Sequence, residues 1–460
     1  MCRTPASCLR ALLLVAALAA MPAMAEPVSA DIAQLLQDMQ ERLGKLEARN
    51  AELELRLVEA APGASEGTLK ARVEDLENEV VALSKKPDSL HRFEGLSAGA
   101  SLTMVAQRAR GGGVSAEELN ARADIEVELP MGSIGEAEGR LFAHFRAGDG
   151  DGVDVPLGAL APAPFAPANS IAFGNTPQPV LMQAWYQLDV PVGGTSGELG
   201  QLELTIGKID PFGFFDGNNI ADDESEQFLN LAFIHNPLLD AGGDVTPGDH
   251  GASPGFRVGY VSDINGGNNV TAALGVFAAG GDGAGLGGSN YTDSFKNPLV
   301  IGQVEYAGKT FGGMEGAYRL YGWTNGRAYD VALTGTTLER HTGWGISLDQ
   351  QVAEHVTLFS RLGFSTQGNV LFDRAYTLGA QFDGGLWGRE NDRIGVAAGW
   401  LEASNVSGQT GAEKPIELYY ALQVNDQIQV SPSLQWIREP GGATGASNVT
   451  VWGLRAKASY

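Results

Sequence analysis

Cysteine is almost absent from this 460-residue chain: there are two, Cys2 and Cys8, both inside the first ten residues. Arg3 and Arg10, the apolar run from Ala11 to Ala20 and the small-residue stretch ending at Ala25 read as a secretory signal, with cleavage expected before Glu26. A processed chain would then hold no cysteine, which excludes disulfides, thiol catalysis and thiolate metal sites. Cys8 precedes the apolar run, whereas a lipoprotein cysteine follows it. After that run the sequence offers no stretch of about 20 apolar residues, the length a membrane-spanning helix needs. Basic residues are scarce, 31 against 55 acidic, for a net charge of −24. Losing Arg3 and Arg10 with the signal would leave 29 against 55, or −26. That balance excludes nucleic acid as a partner. The six histidines show no metal-ligand spacing. No Gly-x-Ser-x-Gly, phosphate-binding loop or other catalytic motif occurs, so an enzyme is not expected, and neither is a cofactor or a metal.

What is abundant is glycine, 62 residues, alongside 43% hydrophobic residues and a mean hydropathy near zero. An exported chain of many short alternating runs fits a transmembrane β-barrel; a soluble secreted β-protein is the competing class. Residues 121–129 show the alternation. Ala121, Ala123, Ile125, Val127 and Leu129 form one face, and Arg122, Asp124, Glu126 and Glu128 the other. A charge on the lipid face at the bilayer midplane costs about 2–4 kcal/mol, so these charges should face the lumen. Residues 415–424 repeat the pattern.

Runs of this kind predict sixteen antiparallel strands, near 94–106, 119–129, 139–147, 180–190, 201–208, 255–263, 269–278, 298–307, 313–323, 342–350, 355–365, 373–383, 392–401, 415–424, 427–437 and 448–460. In that count the long loops 148–179, 209–254, 279–297, 324–341 and 402–414 all fall at one end. The tight turns fall at the other, the asymmetry of an outer-membrane barrel.

An α-helical coiled coil is expected before the barrel, as a periplasmic stalk over 26–92. The seam steps by four and three through Ile32, Leu36, Met39, Leu43, Leu46, Asn50, Leu53 and Leu57, apolar at each position but Asn50. With Leu36 at heptad position a, Arg42, Arg49 and Arg56 occupy g and Glu47 and Glu54 occupy e, which pairs Arg42 with Glu47 and Arg49 with Glu54 of a neighbouring chain. A lone amphipathic helix would not need that sorting. Pro62 and Gly63 interrupt the seam, and a shorter one, Leu69 to Leu83, ends before Pro87. Asn50 at an a position sets register and by itself suits a dimer, while the paired e and g charges would hold a homotrimer, the assembly expected here on the resemblance given below.

Loop 209–254 is too apolar for a free loop, with Phe212, Phe214, Phe215, Phe228 and Leu229, and too acidic for a core strand, with Asp222, Asp223, Glu224 and Glu226. It is expected to fold into the lumen, apolar side to the wall and acids to water; the alternative is an acidic cap outside. Arg146, Arg257 and Arg319 are the arginines expected to face the acids at a channel constriction. Trp185 and Trp323 are the aromatics expected to face sugar. Such a field across the pore suits neutral, hydroxyl-rich solutes, because guanidinium and carboxylate both bond hydroxyls. The run Asp149-Gly150-Asp151-Gly152-Val153-Asp154 looks like part of a calcium loop but lacks the closing Glu.

Several segments resemble the carbohydrate-selective porin (OprB) family of Gram-negative bacteria: Gly207-Lys208-Ile209-Asp210, Phe215-Asp216-Gly217-Asn218-Asn219, Asp223-Glu224-Ser225-Glu226-Gln227-Phe228-Leu229-Asn230, Tyr318 to Gly326, Glu417-Leu418-Tyr419-Tyr420 and Ser431 to Ile437. The resemblance covers roughly 93–460. It implies a sixteen-stranded barrel in outer-membrane lipid with a narrowed channel preferring small sugars, and passive diffusion as the activity. The ending at Tyr460 resembles the terminal strand that outer-membrane insertion machinery recognises. The stalk departs from the simplest members and is similar to that of other sugar porins. Two other readings stay open: a general or cation-preferring porin, and an envelope tether gripping the cell wall through the coiled coil.

Overall fold

The computed structural model describes residues 96–153, 157, 176–193, 199–240, 252–265, 268–279, 295, 298–329 and 338–460. The expected signal peptide and coiled coil lie outside the described residues. Sixteen antiparallel strands close into one barrel. In chain order they are β1 (Ser97–Gly111), β2 (Val114–Ile134), β3 (Ala137–Asp149), β4 (Thr176–Gly193), β5 (Leu199–Ile209), β6 (Ser253–Asn265), β7 (Asn268–Phe277) and β8 (Leu299–Lys309). Then follow β9 (Glu315–Tyr329), β10 (Leu338–Ala353), β11 (Val356–Gln367), β12 (Phe372–Asp383), β13 (Arg393–Ala403), β14 (Ala412–Gln423), β15 (Ile428–Arg438) and β16 (Val449–Ser459). Each pairs with its sequence neighbours, and β1 pairs with β16. The Tyr460 N–H donates to the Ala100 carbonyl at 2.8 Å and the Ala100 N–H returns a bond at 3.0 Å, so the last residue completes the closure.

Closure satisfies every ladder and leaves no edge, the condition for crossing a bilayer with strands. The pleat then sorts side chains. On β2, Leu119 and Ile125 stand about half exposed on the outside, while Arg122 and Asp124 are buried inside. Leu204, Ile206, Leu274, Leu320, Trp400 and Trp452 continue the outer apolar band. No helix among the described residues is long and apolar enough to cross a membrane.

All sixteen expected strands are present, and the main difference is at the first hairpin. The sequence pattern leaves 107–118 as a connection, but β1 and β2 run through it and meet at a turn at Gly112 and Gly113, both at positive φ (60° and 87°). The apolar alternation hides this hairpin because its outward residues are charged: Arg108 pairs with Glu117 at 3.0 Å on the outer face.

Candidate functional site: the inward loop and its cavity

The chain leaves the wall after β5 at a built corner. Gly207 sits at φ 149°, and a Cβ there would lie 2.3 Å from the Ala184 carbonyl oxygen. Asp210 then accepts the Phe212 N–H at 3.0 Å, capping a short 3-10 turn that begins at Pro211. Its own N–H donates to Gln183 at 3.2 Å. Phe214 and Phe215 fasten this foot to the wall. Phe214 meets Trp185 edge-on at 5.6 Å and lies under the Arg257 guanidinium; Phe215, 1% exposed, meets Phe277.

Beyond the foot the loop is tied to the opposite wall. Asp216 is fully buried and holds a left-handed conformation, φ 60°, which few non-glycine residues adopt. Its carboxylate accepts from Tyr321 Oη (2.6 Å), the Asn236 N–H (2.5 Å) and Arg361 Nε (3.1 Å). Arg361 also donates to the carbonyls of Asp216 (2.9 Å), Ala221 (2.6 Å) and Phe233 (2.7 Å) and to Asp222 Oδ1 (3.3 Å). Asn218 and Asn219 bond Ser347 and Asp349 on β10. Further along, buried Glu417 accepts the Leu229 and Asn230 N–H groups at 2.8 and 2.9 Å. Arg455 donates to the carbonyls of Glu224 and Gln227, both at 2.8 Å. Phe228, wholly buried, meets the Tyr419 ring edge-on at 5.0 Å. Asn230 caps the short helix α1 (Leu231–Ile234), and α2 (Pro237–Asp240) follows. The loop is therefore held by three buried charged side chains, Arg361, Glu417 and Arg455, that bond its backbone, and by aromatics set between them.

Between these ties lies the acidic hairpin. Gln227 Oε1 accepts the N–H groups of Asp222 (2.6 Å) and Asp223 (3.0 Å), and Asp223 accepts that of Ser225 (2.7 Å). The hairpin closes on itself and turns its carboxylates outward to wall cations. Arg122 donates to Glu224, Lys457 to Glu226 (2.7 Å) and Ser225 Oγ (2.8 Å), and Arg393 to Glu226 (3.2 Å). Asp124 bridges Arg122 (2.9 Å), Arg146 (2.6 Å) and His144 (2.8 Å). Burial alone would raise the Glu224 carboxyl, but Arg122 and Arg146 overcome it and hold the group at about 2. Glu226 is lowered in the same way, Lys457 and Arg393 outweighing burial. Asp222 goes the other way: burial pushes it up to about 7 against the pull of Arg361 and His235.

A cavity of about 610 Å3 remains between the loop and the wall made by the first four strands and β16. Asp222, Asp223, Glu224 and Arg146 line it, together with Arg122, Asp124, Lys457, Phe212 and His235. Four expected residues stand elsewhere. Arg257 pairs with Glu203 at 2.7 Å, and Arg319 pairs with Glu305 (2.7 Å) and Asp349 (2.9 Å), rather than with the four loop acids. Trp185 and Trp323 point inward, yet both are buried in the apolar layer that includes Phe215, at 8% and 4% exposure, so they do not face the cavity. The missed residues are Arg122 and Lys457, which the inward alternation of β2 and β16 contains, and the stacked rings of Phe212 and His235, for which the sequence holds no signal.

A family model described as carbohydrate-selective porin, OprB family, matches residues 176–460. The chain belongs to this family. As a member of it with a closed barrel, the chain is a multi-pass β-barrel of the outer membrane. The match begins at β4, later than the resemblance over roughly 93–460 implies, although β1–β3 belong to the same barrel. Porin B of Pseudomonas aeruginosa is 26% identical over 190 residues, covering 32% of this chain and 42% of that relative, so the chain matches less than half the relative's length. The high-pH structure of Pseudomonas putida OprB superposes with a TM-score of 0.63 at 19% identity, over 79% of this chain and 94% of that one, and shares the fold.

Proposed function

We propose that this porin passes small hydrophilic solutes by passive diffusion, preferring carbohydrates, and that loop 209–254 forms its constriction. The observation carrying this reading is the ion pairing of the hairpin's two glutamates. Glu224 meets Arg122 in the cavity lining, and Lys457, also in the lining, is held by Glu226 behind it, so a solute meets paired donors and acceptors at short range. Hydroxyls bond both partners, whereas a net charge gains from one and loses from the other. Family membership supports the same solute class. Swelling of proteoliposomes in neutral sugars against size-matched charged solutes tests it; equal rates would sink the sugar preference.

A cation-preferring pore is the second reading. Asp124, Glu126, Asp210, Asp222, Asp223 and Glu224 outnumber Arg122, Arg146 and Lys457 around the cavity, which favours cations among charged solutes. The domain plan of signal peptide 1–25, stalk 26–92 and barrel 93–460 completes the proposal, with a homotrimer held by the stalk's paired charges. Native mass spectrometry counts the chains, and a monomeric full-length protein removes the intermolecular coiled coil. Deleting 30–86 separates a cell-wall tether from the pore: lost wall association with unchanged flux would assign the stalk to anchoring.

A further inference from the structure

Every phenylalanine between Phe215 and Phe233 in the loop is shut away, Phe215, Phe228 and Phe233 at 1% exposure or less. Phe212 is not. It borders the cavity, and His235, the residue that ends α1, lies flat on it with ring centroids 3.7 Å apart and planes 3° from parallel. The two rings come from the two ends of the inward loop, and the ties at Asp216, Arg361 and Asn236 between them fix their spacing.

The rim around these rings is polar. Gln183, which lines the cavity, accepts at Oε1 from both Trp185 Nε1 (3.3 Å) and the Asp210 N–H (3.2 Å), and carries an NH2 donor besides. Asp222 spends Oδ1 on Arg361 and keeps Oδ2, with its side chain 37% exposed. The inner faces of the pair cover each other, and the ring surface that the pair contributes to the cavity lining, edged by an amide and a carboxylate, matches a pyranose, which has a C–H face and equatorial hydroxyls around it. An open-chain polyol has the hydroxyls without the face.

We propose that the Phe212–His235 stack, edged by Gln183 and Asp222, is a pyranose subsite that lets the channel distinguish sugar rings from acyclic polyols. This rests on the carbohydrate preference proposed above. The experiment is block of single-channel ion current by glucose and by sorbitol, for the wild type and for Phe212→Leu and Phe212→Trp. Leucine keeps apolar cover on the loop foot but removes the flat face. Wild type should be half-blocked at lower glucose than sorbitol. F212L should raise the glucose value about threefold to tenfold, the range expected for loss of an aromatic face. It should leave the sorbitol value unchanged, and F212W should restore glucose block. If glucose blocks the wild type and F212L leaves that unchanged, or shifts glucose and sorbitol equally, the subsite is overturned and the sugar preference stands. A wild-type channel that glucose does not block overturns the preference and the subsite together.

Discussion

Arg361→Met puts the loop's hold on the wall to a direct test. Methionine keeps much of the apolar stem and removes every N–H. Asp216 would keep Tyr321 and the Asn236 N–H but lose its counter-charge at zero exposure, and the carbonyls of Asp216, Ala221 and Phe233 would lose a donor. Removing one partner of a buried ion pair costs roughly 3–5 kcal/mol. The cost falls on docking of the loop, because the strand ladders are backbone bonds that do not involve this guanidinium. At about 1.4 kcal/mol per tenfold, the ratio of docked to undocked loop falls by about a hundredfold to a few thousandfold. In planar bilayers the variant should show higher mean conductance, added flicker and weaker ion selectivity. Its barrel should still migrate as a folded species in detergent gels before heating. Arg361→Lys should fall between, since one ammonium can meet Asp216 but cannot fork over three carbonyls. A folded R361M channel with wild-type conductance and reversal potential would refute the reasoning and leave the loop's position to its buried aromatics alone.

Changing Asp222, Asp223, Glu224 and Glu226 to their amides leaves Arg122, Lys457 and Arg393 without carboxylate partners on the loop, so reversal potentials under a salt gradient should move towards anion preference; an unchanged potential would place the hairpin outside the narrowest point. Asp222, raised to about 7 chiefly by burial, is ionised above that value and protonated below it. Lowering the bath from pH 8 to pH 6 should therefore reduce cation preference, and Asp222→Asn should lessen that reduction. The same raised value means that its contribution to loop docking falls as pH climbs from the ordinary carboxylate range to about 7. Gly207→Ala should lower folded yield and the temperature of gel-shift loss, because the new Cβ would sit 2.3 Å from the Ala184 oxygen at a backbone angle costing about 1–3 kcal/mol for other residues.

The barrel was legible because lipid on one side and water on the other impose a period of two on each strand, and one strand suffices to see it. The first hairpin was not, because Arg108 and Glu117 sit on its outer face. The loop's inward fold was legible from Phe and acid mixed in one segment. Its ion partners were not, since partnership depends on register between strands. Glu305 stands directly opposite Arg319 in the β8–β9 ladder, so that arginine is taken before the loop arrives. Arg122 and Lys457 lie 335 residues apart in the chain, yet both stand opposite Thr103, on either side of β1. Only closure of the barrel makes them neighbours.

The tryptophans carry the argument one step further. Alternation placed Trp185 and Trp323 on the inner face correctly, and they still do not face the cavity. Once a loop lies against the wall, inward-facing residues divide into those under it and those beside it. Arg361, Glu417 and Arg455 are under it and spend their hydrogen bonds on loop backbone; Arg146 and Asp124 are beside it and line the cavity. The two groups are chemically alike and alternate alike, so strand pattern cannot separate them. What separates them is the complement on the loop. A wall charge facing bare loop carbonyls or N–H groups is an anchor, and one paired with another wall charge at the cavity lining, as Arg146 is with Asp124, is available to a solute. By that criterion substitutions at Arg361, Glu417 and Arg455 should change how wide the channel is, whereas substitutions at Arg146 and Asp124 should change what it prefers.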